Sequence, residues 1–170
     1  MTHAMIEKAR IFATAAHAAV GQVRKYTFEP YIVHPTEVAG IVASIEGATV
    51  EMICAAYLHD TVEDTDVSIE VIRTEFGDEV AEIVSWLTDV SKPEDGNRAV
   101  RKAIDRAHSA MAPATAQTVK LADLISNSRS IVEHDAHFAK TYLEEKRMLL
   151  EVMTKGDPVL MAEARKYIGE

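Results

Sequence analysis

A chain of 170 residues, 48% of them hydrophobic, can bury one sizeable core and leaves little room for a second, so residues 1–170 are expected to form a single domain. A formal net charge of −9 opposes general association with nucleic acid polymers or anionic membranes, so a phosphorylated partner must be drawn in by local groups, which small ligands fit better than polymers. A single cysteine, Cys54, excludes an internal disulfide; no segment approaches the roughly 20 apolar residues of a membrane span, and the N-terminus lacks a basic flank followed by an apolar block, so a cytoplasmic protein is expected.

Glycine and proline are sparse, at 7 and 5 residues, and apolar positions recur at intervals of three and four, so the predicted class is all-α, a bundle of eight to nine helices with no sheet. The first helix is expected from about Thr2 to Val20, with Ile6, Ala9, Ala13, Ala16 and Val20 on its apolar side and Gly21 as its stop. An irregular loop follows. Pro35 suits the first turn of a second helix carrying Val38, Ile41, Val42 and Ile45, and Thr49 can cap a third that ends near His59-Asp60. Ser68 caps a short helix closed by Gly77, and Asp78 opens another with Val80, Ile83, Val84 and Leu87 inward and Trp86 read as a core residue. After a break over residues 91–96, a polar helix runs from about Asn97 to Met111, and Pro113 marks a turn. A helix from Thr115 to Val132 then carries Asp123 among apolar neighbours. Two more helices, near His137 to Met153 and Pro158 to Ile168, complete the bundle, the last with Asp157 as cap and Pro158 in its first turn.

The residues that carry chemistry are His34, the pair His59-Asp60, Asp123, and Glu63-Asp64 one turn past the pair. Two imidazoles and two carboxylates suit a divalent cation such as Mn²⁺ or Fe²⁺, and would tolerate Zn²⁺ or another divalent ion. A cation that acidifies water still needs a carboxylate to orient that water or take its proton, and on a helix residue 63 lies over 59 and 64 over 60. These residues together predict a metal-dependent hydrolase. Singly they mean less. A His–Asp pair at a helix end is often a satisfied core histidine beside a surface acid, and Asp123 has an ordinary salt-bridge partner three residues earlier in Lys120. What tips the balance is the segment from Leu58 to Asp66, which concentrates four acids and a histidine directly behind an apolar run, a costly arrangement without a cation. Arg24 and Lys25 would hold phosphate oxygens near the metal, and Asn127 and Ser130, one and two turns past Asp123, could project hydrogen-bonding groups into the same cleft. Arg98, Arg101 and Lys102 share a helix with Asp105 and near Asp95, which reads as a mixed surface helix. His17, His108, His134 and His137 receive no role.

The strings Gly21-Gln22-Val23-Arg24-Lys25, Glu29-Pro30-Tyr31-Ile32-Val33-His34-Pro35, Leu58-His59-Asp60-Thr61-Val62-Glu63-Asp64-Thr65 and Val119-Lys120-Leu121-Ala122-Asp123 resemble, in order and spacing, the hydrolase domain of the RelA/SpoT alarmone enzymes within the HD superfamily. The similarity covers most of residues 3–153, with no synthetase or regulatory region in this chain. The resemblance implies an all-helical Mn²⁺-dependent enzyme that removes the 3′-diphosphate of (p)ppGpp. It implies His34, His59, Asp60 and Asp123 as metal ligands, Glu63 and Asp64 as the acids that position and activate water, and Arg24, Lys25, Asn127 and Ser130 as substrate contacts. The chain departs from the family pattern around Asn127, where Leu124, Ser126 and Ser128 stand, and in a spacer one residue longer between Arg24 and His34, so adenine alarmones such as ppApp are admitted as substrates. Rival readings are an HD-type phosphohydrolase acting on the 2′-phosphate of NADPH or on nucleoside monophosphates, and a non-catalytic nucleotide-binding module. The expected partner is thus a small nucleotide. Whether the chain forms a homo-oligomer is left open by the sequence.

Overall fold

Among the described residues, every regular element of any length is helical. A computed structural model describes the backbone of residues 2–170 and the side chains of residues 3–170. Among these are α1 (Thr2–Ala19), α2 (Val33–Ala43), α3 (Val50–Leu58), α4 (Thr61–Asp64), α5 (Ile69–Phe76), α6 (Asp78–Leu87), α7 (Arg98–Met111), α8 (Ala114–His134), α9 (Ala136–Val152) and α10 (Pro158–Tyr167). A 3₁₀ turn at Pro93–Asp95 precedes α7, and the β-type pairing recorded is an isolated antiparallel bridge between Val23 and Pro30. Setting aside the single turn α4, nine α-helices remain among the described residues, in line with the eight to nine expected. No helix among them is long and apolar enough to cross a membrane.

The caps fall where the residue chemistry puts them. Thr49 and Ser68 accept hydrogen bonds from the backbone N–H groups of Met52 and Val71, and Asp157 accepts from Val159 and Leu160 at 2.9 Å each. Each such cap contributes about 1 kcal/mol by satisfying donors that the first helical turn leaves orphaned. Asn97 and Asp135 do the same for α7 and α9. Gly77, at φ +91°, joins α5 to α6 with a backbone conformation that a side chain would strain.

By its own contacts the chain divides into two compact units, residues 1–88 and 89–170. In the first, α3 packs against α1, α2 and α6, α5 lies on α6, and α1 also meets α4. Because α3 has neighbours on several sides, its sequence is apolar nearly all round, and Met52, Cys54, Ala55, Ala56 and Leu58 are buried. Burial pushes the Cys54 thiol up to about 11, which leaves it an inert packing group. The second unit is organised by α9, which packs on α7, α8 and α10, with α10 also against α8.

Four details differ from the sequence expectation. The buried stripe of α1 is Ala9, Ala13 and His17, spaced four apart, while Val20 lies beyond the helix end and is exposed. Trp86 is half-buried, because Val80, Ala81, Ile83, Val84 and Leu87 already supply the buried face of α6. No continuous helix carries residues 59–64: α3 stops at Leu58, Asp60 takes φ −96° and ψ −4°, and Thr61 Oγ1 donates to the Leu58 carbonyl at 2.7 Å before the new turn begins. The predicted stacking of residue 64 on residue 60 survives, since the Asp64 N–H bonds the Asp60 carbonyl at 2.9 Å.

Asp105 is the fourth difference, being a buried turn anchor. Its Oδ1 accepts from the N–H groups of Val90 and Ser91 at 3.0 and 2.9 Å, and its Oδ2 from the Ser91 hydroxyl at 2.8 Å. Burial works against the ionised carboxylate, but these bonds and nearby Lys102 outweigh it and hold the group below the usual aspartate range. A depressed folded-state pKa contributes stability above the unfolded value, and that stability is lost as pH falls through the folded value. Asp105→Ala, which strands two backbone donors and a hydroxyl, is expected to cost about 2–4 kcal/mol in denaturant melts at pH 7. The gap between variant and wild type should narrow below about pH 4, near the ordinary aspartate value.

Phe28 sits at the tip of the loop between α1 and α2, 75% exposed, with φ at +60°. A left-handed conformation costs a non-glycine residue about 1–2 kcal/mol, and so exposed a ring recovers little of it through packing. Phe28→Gly should therefore leave thermal stability unchanged or raise it by a few degrees, whereas an ordinary aromatic truncation lowers it.

Candidate metal centre

Three of the predicted ligands converge in the first unit. His34 enters from the first turn of α2, which Pro35 helps to start, His59 caps the C-terminal end of α3, and Asp60 follows it in the break before α4. One ligand atom from each lies within 4.8 Å of the others. The two rings are edge to face with centroids 5.2 Å apart, and their Nε2 atoms lie 3.7 Å (His34) and 3.1 Å (His59) from the same oxygen, Asp60 Oδ2. Both imidazoles are buried, at 1% and 2% exposure, while the Asp60 side chain keeps 22%.

The tautomer of His59 decides what this cluster can do. Its Nδ1–H donates to the Ala56 carbonyl at 2.7 Å, so a neutral ring presents an Nε2 lone pair towards a carboxylate oxygen. Two acceptors 3.1 Å apart repel unless a positive charge is shared between them, and a divalent cation bound by two imidazoles and a carboxylate supplies it. A backbone carbonyl on the far nitrogen is also the usual support for a metal-binding histidine, fixing the ring and raising its basicity. The donor set therefore fits a divalent metal ion.

A second set of side chains holds the acids. The Tyr31 hydroxyl donates to Asp60 Oδ2 at 2.5 Å, and the Gln22 amide donates to Asp64 Oδ2 at 2.8 Å. His17, 1% exposed, directs Nδ1 at the Gln22 Oε1 from 2.7 Å and packs its ring on Tyr31 with centroids 4.5 Å apart. Burial keeps the His17 imidazole below its ordinary pKa, although Gln22 and the carboxylates of Asp60 and Asp64 pull the other way. Asp64 shows one side to solvent, and protein packed on its inner side, helped by the Asp60 charge, raises its carboxyl above the usual range despite the bond from Gln22. Glu63 lies exposed on the same turn. Arg24 places its guanidinium 5.8 Å from the ring centroid of Tyr31, the residue that bonds Asp60, whereas Lys25 sets its ammonium 5.0 Å over Tyr26.

The remaining predicted residues belong to the second unit. Asp123, 7% exposed on α8, lies 3.3 Å from Lys120 Nζ and accepts from the Asn127 amide at 2.7 Å. Asn127 is thereby a partner of Asp123 itself, and Ser130 is half-buried one turn on, its carbonyl facing the His134 ring. Lys146 on α9 shares this surround; desolvation, with Lys120 adding to it and Asp123 opposing, pushes its ammonium down to about 8. On α7, Arg98 grips Glu145 through two bonds and Lys102 pairs with Asp89 at 3.3 Å.

Sequence reasoning passed over His17, Gln22 and Tyr31 as functional residues. Gln22 and Tyr31 stood within the strings that carried the family resemblance, and His17 continues the Ala9, Ala13 spacing that marks the inward face of α1. A histidine on that register, five residues before a glutamine, was the available signal.

Comparison with known proteins identifies the family. The HD domain family matches residues 9–150. A Synechocystis protein named a probable guanosine-3′,5′-bis(diphosphate) 3′-pyrophosphohydrolase is 39% identical over 132 residues, which is 76% of this chain and 17% of that protein. The zebrafish (Danio rerio) guanosine-3′,5′-bis(diphosphate) 3′-pyrophosphohydrolase MESH1 is 45% identical over 107 residues, 60% of this chain and 56% of that one. A solved structure described as a metazoan ortholog of SpoT that hydrolyzes ppGpp superimposes with a TM-score of 0.84 at 25% identity, covering 96% of this chain and 93% of the other. The chain spans about half of MESH1 and less than a fifth of the long Synechocystis relative. With a match that runs through α1, the His59-Asp60 pair and Asp123, this chain belongs to the HD domain family.

Proposed function

We propose that the chain is a metal-dependent hydrolase that removes the 3′-diphosphate of alarmone nucleotides, (p)ppGpp or (p)ppApp, giving the nucleoside 5′-di- or triphosphate and pyrophosphate. The observation that carries this reading is the cluster of His34, His59 and Asp60 within 4.8 Å, with the Glu63-Asp64 turn directly behind it. Relatives named for this reaction support it, and the family match across residues 9–150 supports treating both compact units as one functional domain. We take Mn²⁺ as the cation and the cytoplasm as the setting, with Asp123 as the fourth ligand. When bound, the cation polarises a phosphate oxygen and makes water a better nucleophile.

The residues then divide the work. His34, His59 and Asp60 hold the ion, and Tyr31 fixes the Asp60 carboxylate by its hydroxyl. Asp64, solvent-accessible on one side and anchored by Gln22 on the other, orients the attacking water and takes its proton, and its raised pKa makes it a better base than an ordinary aspartate. Glu63 orients water from the same turn. Arg24 and Lys25 neutralise phosphate charge, which matters more than usual in a chain of net charge −9. Asn127 steadies Asp123, and Ser130 is assigned to the nucleotide.

The test is product analysis with Mn²⁺-loaded protein on ppGpp, ppApp, NADPH and nucleoside monophosphates. Release of pyrophosphate from ppGpp or ppApp is expected. Orthophosphate as the sole inorganic product would overturn the assignment in favour of a phosphomonoesterase, the outcome that NADPH or monophosphate hydrolysis would give. Size measurement of the active species decides whether it is a homo-oligomer.

A further inference from the structure

We infer that His17 and Gln22 form a positioning relay that sets the orientation of Asp64, so that the last turn of α1 and the loop behind it govern turnover without touching the metal ion. The inference rests on the hydrolase reading above and concerns residues given no role in it beyond the Gln22 bond. Three observations meet here. His17 is buried to 1% exposure and aims Nδ1 at Gln22 Oε1 from 2.7 Å; Gln22 Nε2 lies 2.8 Å from Asp64 Oδ2; and His17 Nε2 is buried with no hydrogen-bond partner.

The bonding allows one assignment. A carboxylate only accepts, so the Gln22 amide must turn its NH₂ to Asp64, and its carbonyl oxygen is thereby committed to His17. An amide oxygen also only accepts, so His17 must carry its proton on Nδ1. With the other nitrogen enclosed and unpartnered, flipping the His17 ring would set a carbon against the Gln22 oxygen and moving its proton to Nε2 would set a lone pair there, and either change breaks the chain at its first link. The amide is thus locked from behind, and Asp64, on a helix of one turn that cannot hold a side chain rigid by itself, inherits its direction from α1. The same ring packs on Tyr31, whose hydroxyl holds Asp60, so one buried imidazole backs both a ligand and the water-handling acid.

The experiment uses the full chain. With Mn²⁺ and ppGpp, His17→Phe keeps the ring volume and removes the donor, and kcat is expected to fall about 10- to 100-fold, the usual cost of losing an outer support of a metal site. KM should stay within about threefold and bound metal per chain should not change, because the relay touches neither substrate nor ion. His17→Asn places an amide N–H near the lost Nδ1–H and should recover most of the loss. Gln22→Ala should match His17→Phe, and the double variant should be no worse than Gln22→Ala, since two links of one chain fail together. Equal activity of the Phe and Asn variants, or losses that multiply in the double variant, would overturn the relay. A readout independent of turnover keeps this separate from the choice of substrate. In the Zn²⁺-loaded protein, nitrogen-15 spectra of the His17 ring should show the Nδ1–H tautomer in wild type and its loss in Gln22→Ala. An Nε2–H tautomer in wild type rejects the relay even if ppGpp is hydrolysed, and an Nδ1–H tautomer in a protein inactive on ppGpp upholds it while the substrate assignment fails.

Discussion

Asp64→Asn is expected to lower kcat on the preferred alarmone by about 10³-fold, within the range that a positioned general base contributes, while metal content stays near that of wild type. The side chain keeps its size and its bond from Gln22, since an amide oxygen can accept where Asp64 Oδ2 does. What it loses is the capacity to take a proton. The same substitution should not destabilise the protein. Protein packed on its inner side, with the Asp60 charge beside it, raises the Asp64 carboxyl above its ordinary range, so the ionised form opposes folding at neutral pH. For an acid whose folded pKa is raised, the penalty is absent at pH values below the unfolded pKa and grows as pH rises through the folded value. Metal-free Asp64→Asn should therefore melt at or above the wild-type temperature at pH 7, and the difference should disappear below about pH 3, where both states of the wild type are protonated. Calorimetry at the two pH values, beside initial rates at saturating substrate, checks both halves. A variant that loses activity together with metal or stability would mean that Asp64 acts as a ligand or a structural group.

Asp123→Ala is expected to cut Mn²⁺ affinity by at least about 10-fold and to abolish turnover at limiting metal, as removal of a direct ligand does. The local geometry offers a competing account, because Lys120 Nζ lies 3.3 Å from Asp123 on the same helix, an ordinary pairing three residues apart. Lys120→Ala separates the two. If Asp123 served only that ion pair, the two variants would bind metal alike, whatever stability each loses by leaving a half-buried partner unpaired. If Asp123 binds metal, Lys120→Ala leaves metal binding largely intact while Asp123→Ala does not. The Asn127 amide, 2.7 Å from Asp123 Oδ1, adds a graded case: Asn127→Ala should weaken metal binding less than Asp123→Ala. Titration of metal into the three purified variants gives the ranking, and equal affinities would remove Asp123 from the ligand set.

The division between what the sequence and the fold supplied follows the range of the forces involved. Helix boundaries were legible because caps and breakers act within a few residues: Thr49, Ser68 and Asp157 bond the turns they open, and Gly77 takes the positive φ that ends α5. The ligand candidates His34, His59 and Asp60 were legible because buried acids and imidazoles behind apolar runs are costly unless something pays for them. The reading of Asp105 as a surface charge failed for want of distant information, since its partners Val90 and Ser91 are 15 and 14 residues away in the chain.

By itself, then, the sequence determined an all-helical chain, most of its helix ends, and which residue types can hold a cation. Those properties depend on local backbone preferences and on the chemistry of single side chains. Tertiary packing decided the rest: that His34 comes to His59 and Asp60, that Tyr31 braces Asp60, and that His17 reaches Asp64 through Gln22 across 47 residues of chain. Hydrogen bonds are short and directional, so their partners are fixed only when packing brings α1, α3 and α4 together, and no periodicity in the chain encodes that meeting.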